Sequence, residues 1–144
     1  MKILIMGLPG SRKSTFAEKL TTELSISSAA EWINADVLRK QFDDWDFSLE
    51  GRKRQAERMK TMADEAQLKG IHAVCDFVCP TQELRGIFGA DMIVWMNTIS
   101  EGRYADTNDL FEPPTFKEYD FQLTNDDDLD KWSKTIADLV YILE

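Results

Sequence analysis

Residues Gly7–Thr15 read GLPGSRKST. Before them stands the apolar run KILIM (Lys2–Met6). After them Phe16, Leu20 and Leu24 recur at helical spacing and give one apolar face to a helix. A buried strand, a glycine-bearing turn and an amphipathic helix form the setting in which the pattern G-x-x-x-x-G-K-[ST] binds phosphate. Successive backbone N–H groups and a helix N-terminus there converge on the anionic oxygens. Gly7, Leu8, Pro9, Gly10, Ser11, Arg12, Lys13, Ser14 and Thr15 are therefore the candidate nucleotide-binding residues. In this reading Lys13 reaches the β- and γ-phosphates of ATP, and the Ser14 hydroxyl binds Mg²⁺. An ordinary strand–turn–helix would leave the Lys-Ser-Thr run at the helix start unexplained.

One position departs from the pattern: Arg12 stands where it has glycine. The backbone N–H is retained, so the number of donors is unchanged. A side chain held at positive φ costs on the order of 1–3 kcal/mol, which a domain with roughly 5–15 kcal/mol of stability absorbs. Binding is less forgiving, since each ~1.4 kcal/mol is tenfold in affinity. The expectation is a surviving fold and a reduced ATP affinity, partly offset by the added positive charge if the guanidinium swings outward.

Outward from the loop, strand-like runs alternate with helical ones. EWIN (Glu31–Asn34), IHAVC (Ile71–Cys75), MIVWM (Met92–Met96) and YDFQL (Tyr119–Leu123) read as strands. Arg52–Lys69 reads as a polar helix with Ala56, Met59, Ala63, Ala66 and Met62 as its packing stripe. A further helix starts at Thr81 with Glu83 in its first turn, and TNDDD precedes a last helix running to Leu143. Alternation of this kind predicts a three-layer α/β/α sandwich with a mainly parallel five-stranded sheet, of the P-loop nucleoside triphosphate hydrolase/kinase type. The whole chain, 1–144, is read as one domain. Thr98–Lys117 alone shows no periodicity and carries two prolines, so a lid-like loop is expected over about 98–118.

Composition narrows the partners. With 26 acidic and 17 basic side chains the net charge is −9, which argues against a nucleic-acid surface. No apolar run is long enough to cross a membrane. Cys75 and Cys79 form a single pair and read as buried free thiols rather than metal ligands. Reduced thiols without a signal segment suggest a cytoplasmic protein. An oligomer is allowed, but no feature of the sequence specifies one.

The next informative stretch is NADVLRKQFDDWDFSLEGRKRQAER, Asn34–Arg58. It leaves the second strand at the sheet edge where α/β folds place ligands. A carboxylate there, Asp36, suits orienting an attacking hydroxyl or holding Mg²⁺ through water; equally it suits a helix N-cap. Arg39, one turn on, suits an anionic acceptor.

GLPGSRKST, NADVLR, DWDFS, CDFVCP and FEPP follow one another in an order that resembles adenylylsulfate kinases (APS kinases), from Met1 to about Pro114. The resemblance implies a kinase of sulfate assimilation that uses ATP and Mg²⁺ to phosphorylate the 3′-hydroxyl of adenosine 5′-phosphosulfate (APS), giving PAPS. It aligns the family's DGDNVR with NADVLR, so that Asp36 matches the carboxylate near the acceptor hydroxyl and Arg39 an APS-contacting arginine. Phe47 matches the residue that stacks on the APS adenine, and Arg52 a second arginine near the sulfate or phosphate. Phe77, Val78 and Cys79 fall in the acceptor pocket with Gln55, and Arg103 matches the arginine that opens the ATP lid. Lys13, Asp36 and Arg103 are then the candidate catalytic residues.

The departures are informative. Asn34 stands where the family has an aspartate, and Asp76 where it has serine. Asp76 ends the IHAVC strand in a Walker-B-like place, so we expect it to share the metal with Ser14. Gln55 replaces asparagine and Cys79 replaces serine. The lid is short and carries YADTN in place of the family's Lys-Gly-Leu-Tyr run.

Plainer readings stand beside these. Phe47 and Trp45 suit core aromatics beneath a loop, and Arg39, Arg52, Arg54 and Arg58 a solvated helix face. His72 suits a satisfied core histidine, and FEPP an extended anchor for the far end of the lid. At the level of function, the alternatives are a non-catalytic nucleotide- or anion-binding protein and a P-loop kinase with a different hydroxyl acceptor.

Overall fold

A computed structural model describes residues 1–144. Five strands, β1 (Lys2–Met6), β2 (Ala30–Asn34), β3 (His72–Asp76), β4 (Met92–Met96) and β5 (Phe121–Leu123), form one sheet in the order β2-β3-β1-β4-β5. All four pairings are parallel. The helices are α1 (Lys13–Leu24), α2 (Ala35–Phe42), α3 (Leu49–Leu68), α4 (Gln82–Phe88), α5 (Ala105–Leu110) and α6 (Leu129–Leu143).

The central strand β1 is buried along its whole length, as a parallel strand covered on both faces must be. Its odd residues Ile3 and Ile5 meet Phe16, Leu20 and Leu24 of α1 and Ile136 and Val140 of α6. Its even residues Leu4 and Met6 meet Ala56, Met59 and Ala63 of α3 and Leu84 and Phe88 of α4. Each large apolar side chain so buried contributes about 1.5–3 kcal/mol. The alanines of α3 let that helix lie close to the sheet, which fixes the position of its first turn at the ligand edge.

The sequence reading needs correction at the element ends. The helix expected from Arg52 begins at Leu49, where the Ser48 hydroxyl caps it by accepting from Gly51 N at 3.2 Å. The last strand shortens to three residues, and just before it Asp120 bonds Ile93 twice, its N donating to Ile93 O at 2.9 Å and its carboxylate, in place of its carbonyl, accepting from Ile93 N at 2.8 Å. The segment 98–118 is not wholly irregular, since α5 lies within it; six residues are too few to show a period. Before α6 the aspartates make no side-chain cap bond. Thr81 caps α4 as expected, accepting from Leu84 N at 3.2 Å. His72 is buried and satisfied, between the Met1 amino group at 3.0 Å and the Glu144 carboxylate.

Candidate active site

The phosphate loop leaves β1 and closes on itself before α1. Ser11 N donates to Leu8 O at 3.1 Å, and the Thr98 hydroxyl donates to Ser11 O at 2.8 Å from the neighbouring strand end. Gly7 is required by close approach, since a Cβ there would stand 2.6 Å from Met96 O. Arg12 is the N-cap of α1 at φ 71°, ψ 21°, the left-handed conformation expected of the glycine it replaces. Its guanidinium does swing outward, exposed, to lie 3.5 Å from Asp126. The first-turn amides of α1, which have no partner within a helix, belong to Lys13, Ser14 and Thr15, and these residues line a cavity of about 710 Å³.

Asp76 lies at the tip of β3, buried beside the loop. It accepts from Ser14 Oγ at 2.5 Å, from Trp32 Nε1 at 3.0 Å and from Asn34 Nδ2 at 3.0 and 3.2 Å. The other end of the Asn34 carboxamide accepts from Val37 N at 3.0 Å and caps α2. A carboxylate at position 34 would cap equally well but could donate nothing to Asp76. The two departures from the family pattern are thus complementary: aspartate at 76 calls for a donor at 34. Burial holds Lys13 below the ordinary lysine range, while Asp76 and Asp36 pull it up and Arg103 pushes it further down.

The donor set beside the loop is one hydroxyl and one carboxylate, and no group of three or more His, Cys, Asp or Glu side chains is placed to hold a metal ion. That set fits Mg²⁺, which is commonly held by one or two carboxylates together with substrate phosphates.

Across the cavity stands a wall built by the Asp44–Ser48 turn. Asp44 accepts from Arg54 at 3.1 Å and Arg58 at 2.7 Å, and these bonds hold its carboxyl far below the ordinary range. Arg54 and Arg58 therefore fasten the turn rather than face solvent freely. Arg39 is buried, donates to Asp44 O at 2.9 Å and Asp46 O at 3.2 Å, and stacks 4.2 Å from the centre of the Phe47 ring. Arg52, also buried, donates to Phe47 O at 2.9 Å and to the Thr107 hydroxyl at 3.1 Å. Burial lowers the pKa of both guanidinium groups.

Phe47 and Trp45 are about half exposed, at 49% and 51%, so neither is the core aromatic of the plainer reading. Both line the cavity. Asp36 is exposed on the first turn of α2, between loop and wall, and it does not cap the helix. Arg103 is exposed and lines the same cavity.

Behind the wall a pocket of about 70 Å³ holds Gln55, Phe77, Val78 and Cys79. Gln55 donates to Ala35 O at 2.9 Å, and its own carbonyl oxygen is buried without a partner. Phe77 packs edge-on against Phe88 at 5.5 Å. Cys79 adopts φ 46°, and burial pushes its thiol well above the ordinary range, so it stays neutral and unreactive. Cys75 is likewise buried and free.

Sequence reasoning missed Arg85. It is buried and donates to Cys79 O and Glu112 O, both at 3.0 Å, and pairs with Glu118 at 3.2 Å. Glu112 N in turn donates to Pro80 O at 2.7 Å, so FEPP does anchor the far end of the lid-like segment. A lone arginine in a polar-looking helix start gives no sign of this. Trp32 was also missed, although strand alternation sets it on the side opposite the buried Ile33.

An all-parallel sheet with a phosphate loop at the tip of its central strand is the architecture of the P-loop kinases. The family model for adenylylsulphate kinase matches residues 1–94, and the chain belongs to that family. No curated protein sequence matches it significantly. Among solved structures, the APS kinase of Mycobacterium tuberculosis in complex with AMPPNP and APS has a TM-score of 0.77 at 22% identity, covering 97% of this chain and 96% of that one. A sugar kinase from Janibacter sp. HTCC2649 has a TM-score of 0.71 at 16% identity, covering 98% and 93%. The shikimate kinase of Acinetobacter baumannii, in complex with shikimate, has a TM-score of 0.59 at 15% identity, covering 99% and 94%. At these identities the likeness is one of fold. No helix is long and apolar enough to cross a membrane.

Proposed function

We propose that this chain transfers the γ-phosphoryl group of ATP to the 3′-hydroxyl of APS. The observation that carries the reading is the single cavity shared by Lys13 and Ser14 on one side and Phe47 and Arg52 on the other, with Asp36 and Arg103 on its lining. A phosphate site facing a half-exposed aromatic ring suits a donor triphosphate opposite a planar nucleotide acceptor. Arg39 stacks on the Phe47 ring and Arg52 lies 5.5 Å from its centre, and an adenine would stack on the half of the ring that stays exposed.

In this reading the loop amides and Lys13 bind the ATP phosphates, and Asp36 orients the acceptor hydroxyl and takes its proton. The 3′-oxygen then bonds to the γ-phosphorus as the bond to the β–γ bridging oxygen breaks, and ADP leaves. Lys13 and Arg103 offset the charge on the transferring group, so catalysis is mostly positioning and electrostatics. Ser14 and Asp76 would hold Mg²⁺, which when bound neutralises phosphate charge.

The left-handed Arg12 changes where its cost falls. Arg12 takes the left-handed conformation through the loop's own fold, and its guanidinium is turned to Asp126. Strain present before and after binding drops out of the affinity and acts on folding instead. This argues for a nucleotide site that works with Arg12 in place, against the loss of affinity inferred from the sequence alone.

A second acceptor class is favoured by one observation: Arg39 and Arg52 already donate to Asp44 O, Asp46 O, Phe47 O and Thr107, which leaves fewer donors for a sulfate. The test is ATP-dependent phosphorylation of APS, run beside a panel of hydroxyl metabolites, for this chain and its Arg12→Gly variant under saturating Mg²⁺. Formation of PAPS by either form supports the proposal. Turnover of another hydroxyl with none of APS moves the acceptor assignment, and ATP binding without any turnover leaves a nucleotide-binding protein.

A further inference from the structure

The GRYADTN run, Gly102–Asn108, reaches from the phosphate loop to the opposite wall of the cavity. At its start Gly102 lies against the phosphate loop, where a Cβ would stand 3.1 Å from Pro9 O. The Asn108 side chain closes the run on itself: Gly102 N donates to its Oδ1 at 2.8 Å, and its Nδ2 donates to Gly102 O at 2.9 Å. Arg103 is the next residue after this clamp, and it projects into the cavity that Lys13 lines. One residue before Asn108, the buried Thr107 hydroxyl accepts from Arg52 Nη2 at 3.1 Å. The short helix α5 thus has one end against the donor side and a buried polar bond to the wall on the acceptor side.

We propose that Thr107 and Asn108 are positioning residues, Thr107 setting the Arg52 guanidinium for the acceptor and Asn108 setting Arg103 for the transferring phosphoryl group. The inference rests on the kinase reading above and assigns the work done by the YADTN run. A hydroxyl at 107 fixes one of the two terminal nitrogens of a buried guanidinium, leaving the other for an anionic acceptor. A carboxamide at 108 has both a donor and an acceptor, and both are needed to hold Gly102 by its N–H and its carbonyl.

The test is APS binding by titration calorimetry, MgAMPPNP binding by the same method, and steady-state kinetics, for the unaltered chain, Thr107→Val, Thr107→Ser and Asn108→Ala. Loss of the threonine bond should weaken APS binding about tenfold while MgAMPPNP binding stays within about twofold, because the lost contact sits on the acceptor side only. Thr107→Ser should restore APS binding. Asn108→Ala should lower kcat about tenfold with little change in the APS Kd, as expected for a contact made in the transition state. The inference is overturned if Thr107→Val leaves APS binding unchanged or weakens both nucleotides equally, or if Asn108→Ala leaves kcat intact. An unaltered chain that binds no APS overturns the kinase reading and the inference together; one that binds APS while Thr107→Val does so equally well overturns the inference alone.

Discussion

The Ser14 hydroxyl donates to the Asp76 carboxylate at 2.5 Å, linking the start of α1 to the tip of β3. A hydroxyl and a carboxylate so paired are the groups expected to open around a magnesium–phosphate complex. Asp76→Asn should therefore raise the Mg²⁺ concentration needed for half-maximal AMPPNP binding by about 10–100-fold, in line with losses at metal-supporting positions. Isothermal titration at a series of Mg²⁺ concentrations reads this directly. A curve that superimposes on that of the unaltered chain would remove Asp76 from the metal site.

Asn34 supplies the second prediction. Its Nδ2 donates to both Asp76 oxygens, so Asn34→Asp replaces a donor with a second carboxylate at contact distance. The variant should lose about 1–3 kcal/mol of stability, the typical cost of spoiling a buried polar contact. Combining it with Asp76→Ser should recover much of that loss, a coupling that a double-mutant cycle measures by thermal or urea unfolding. Strictly additive effects would mean that the two positions changed independently.

Much of this site was legible before any coordinates, and the reason is local. The phosphate loop is a contiguous run whose backbone conformation follows from its own residues, so Lys13, Ser14 and even the left-handed Arg12 could be placed from the sequence. The acceptor wall is different. Arg39 by its place and Arg52 by the resemblance suit an anionic acceptor, with a solvated helix face as the plainer reading, yet both are buried and spend donors on the turn that carries Phe47. Thr107 and Arg85 give no sign at all, because partners that define them lie far along the chain, at Arg52 for Thr107 and at Glu112 and Glu118 for Arg85. Periodicity reports which face of a helix is buried, but not which polar group on that face closes a long-range bond.

For Arg12→Gly the expected effect is small. Glycine relieves the left-handed strain but gives the unfolded chain more freedom, two terms of about 1 kcal/mol each with opposite sign. Stability should shift by less than about 1 kcal/mol, and AMPPNP affinity by less than about tenfold. Urea unfolding and calorimetry test the two halves separately. A gain in affinity of a hundredfold would show that the arginine side chain obstructs the phosphates after all.

Lys13 makes nucleotide binding pH-dependent on the alkaline side. Burial lowers its pKa in the free protein below the ordinary lysine range, so the ammonium is lost earlier than from a free lysine. Bound phosphates favour the charged form and raise that pKa. Between the two values the complex holds more protons than the free protein, and affinity falls as pH rises through the lower one. Below that window both forms are charged and no dependence arises from Lys13. Calorimetry in buffers of different ionisation enthalpy should register net proton uptake on binding in this range, and Lys13→Met should abolish it.

The sheet order has a consequence for how the protein is made. β1 does not pair with β2, the strand that follows it in the chain, but with β3 and β4: Lys2 lies beside Ala73, and Ile3 beside both Val74 and Met92. β1 precedes both of its partners and must therefore wait, with its apolar residues unpartnered, until the chain as far as β3 has left the ribosome. Closing such distant pairs is slow, and an idle apolar strand is a site for misassociation. The residues that lead into the phosphate loop are thus translated well before they are secured, so yield during expression should depend on temperature and on chaperone supply more than final stability would suggest.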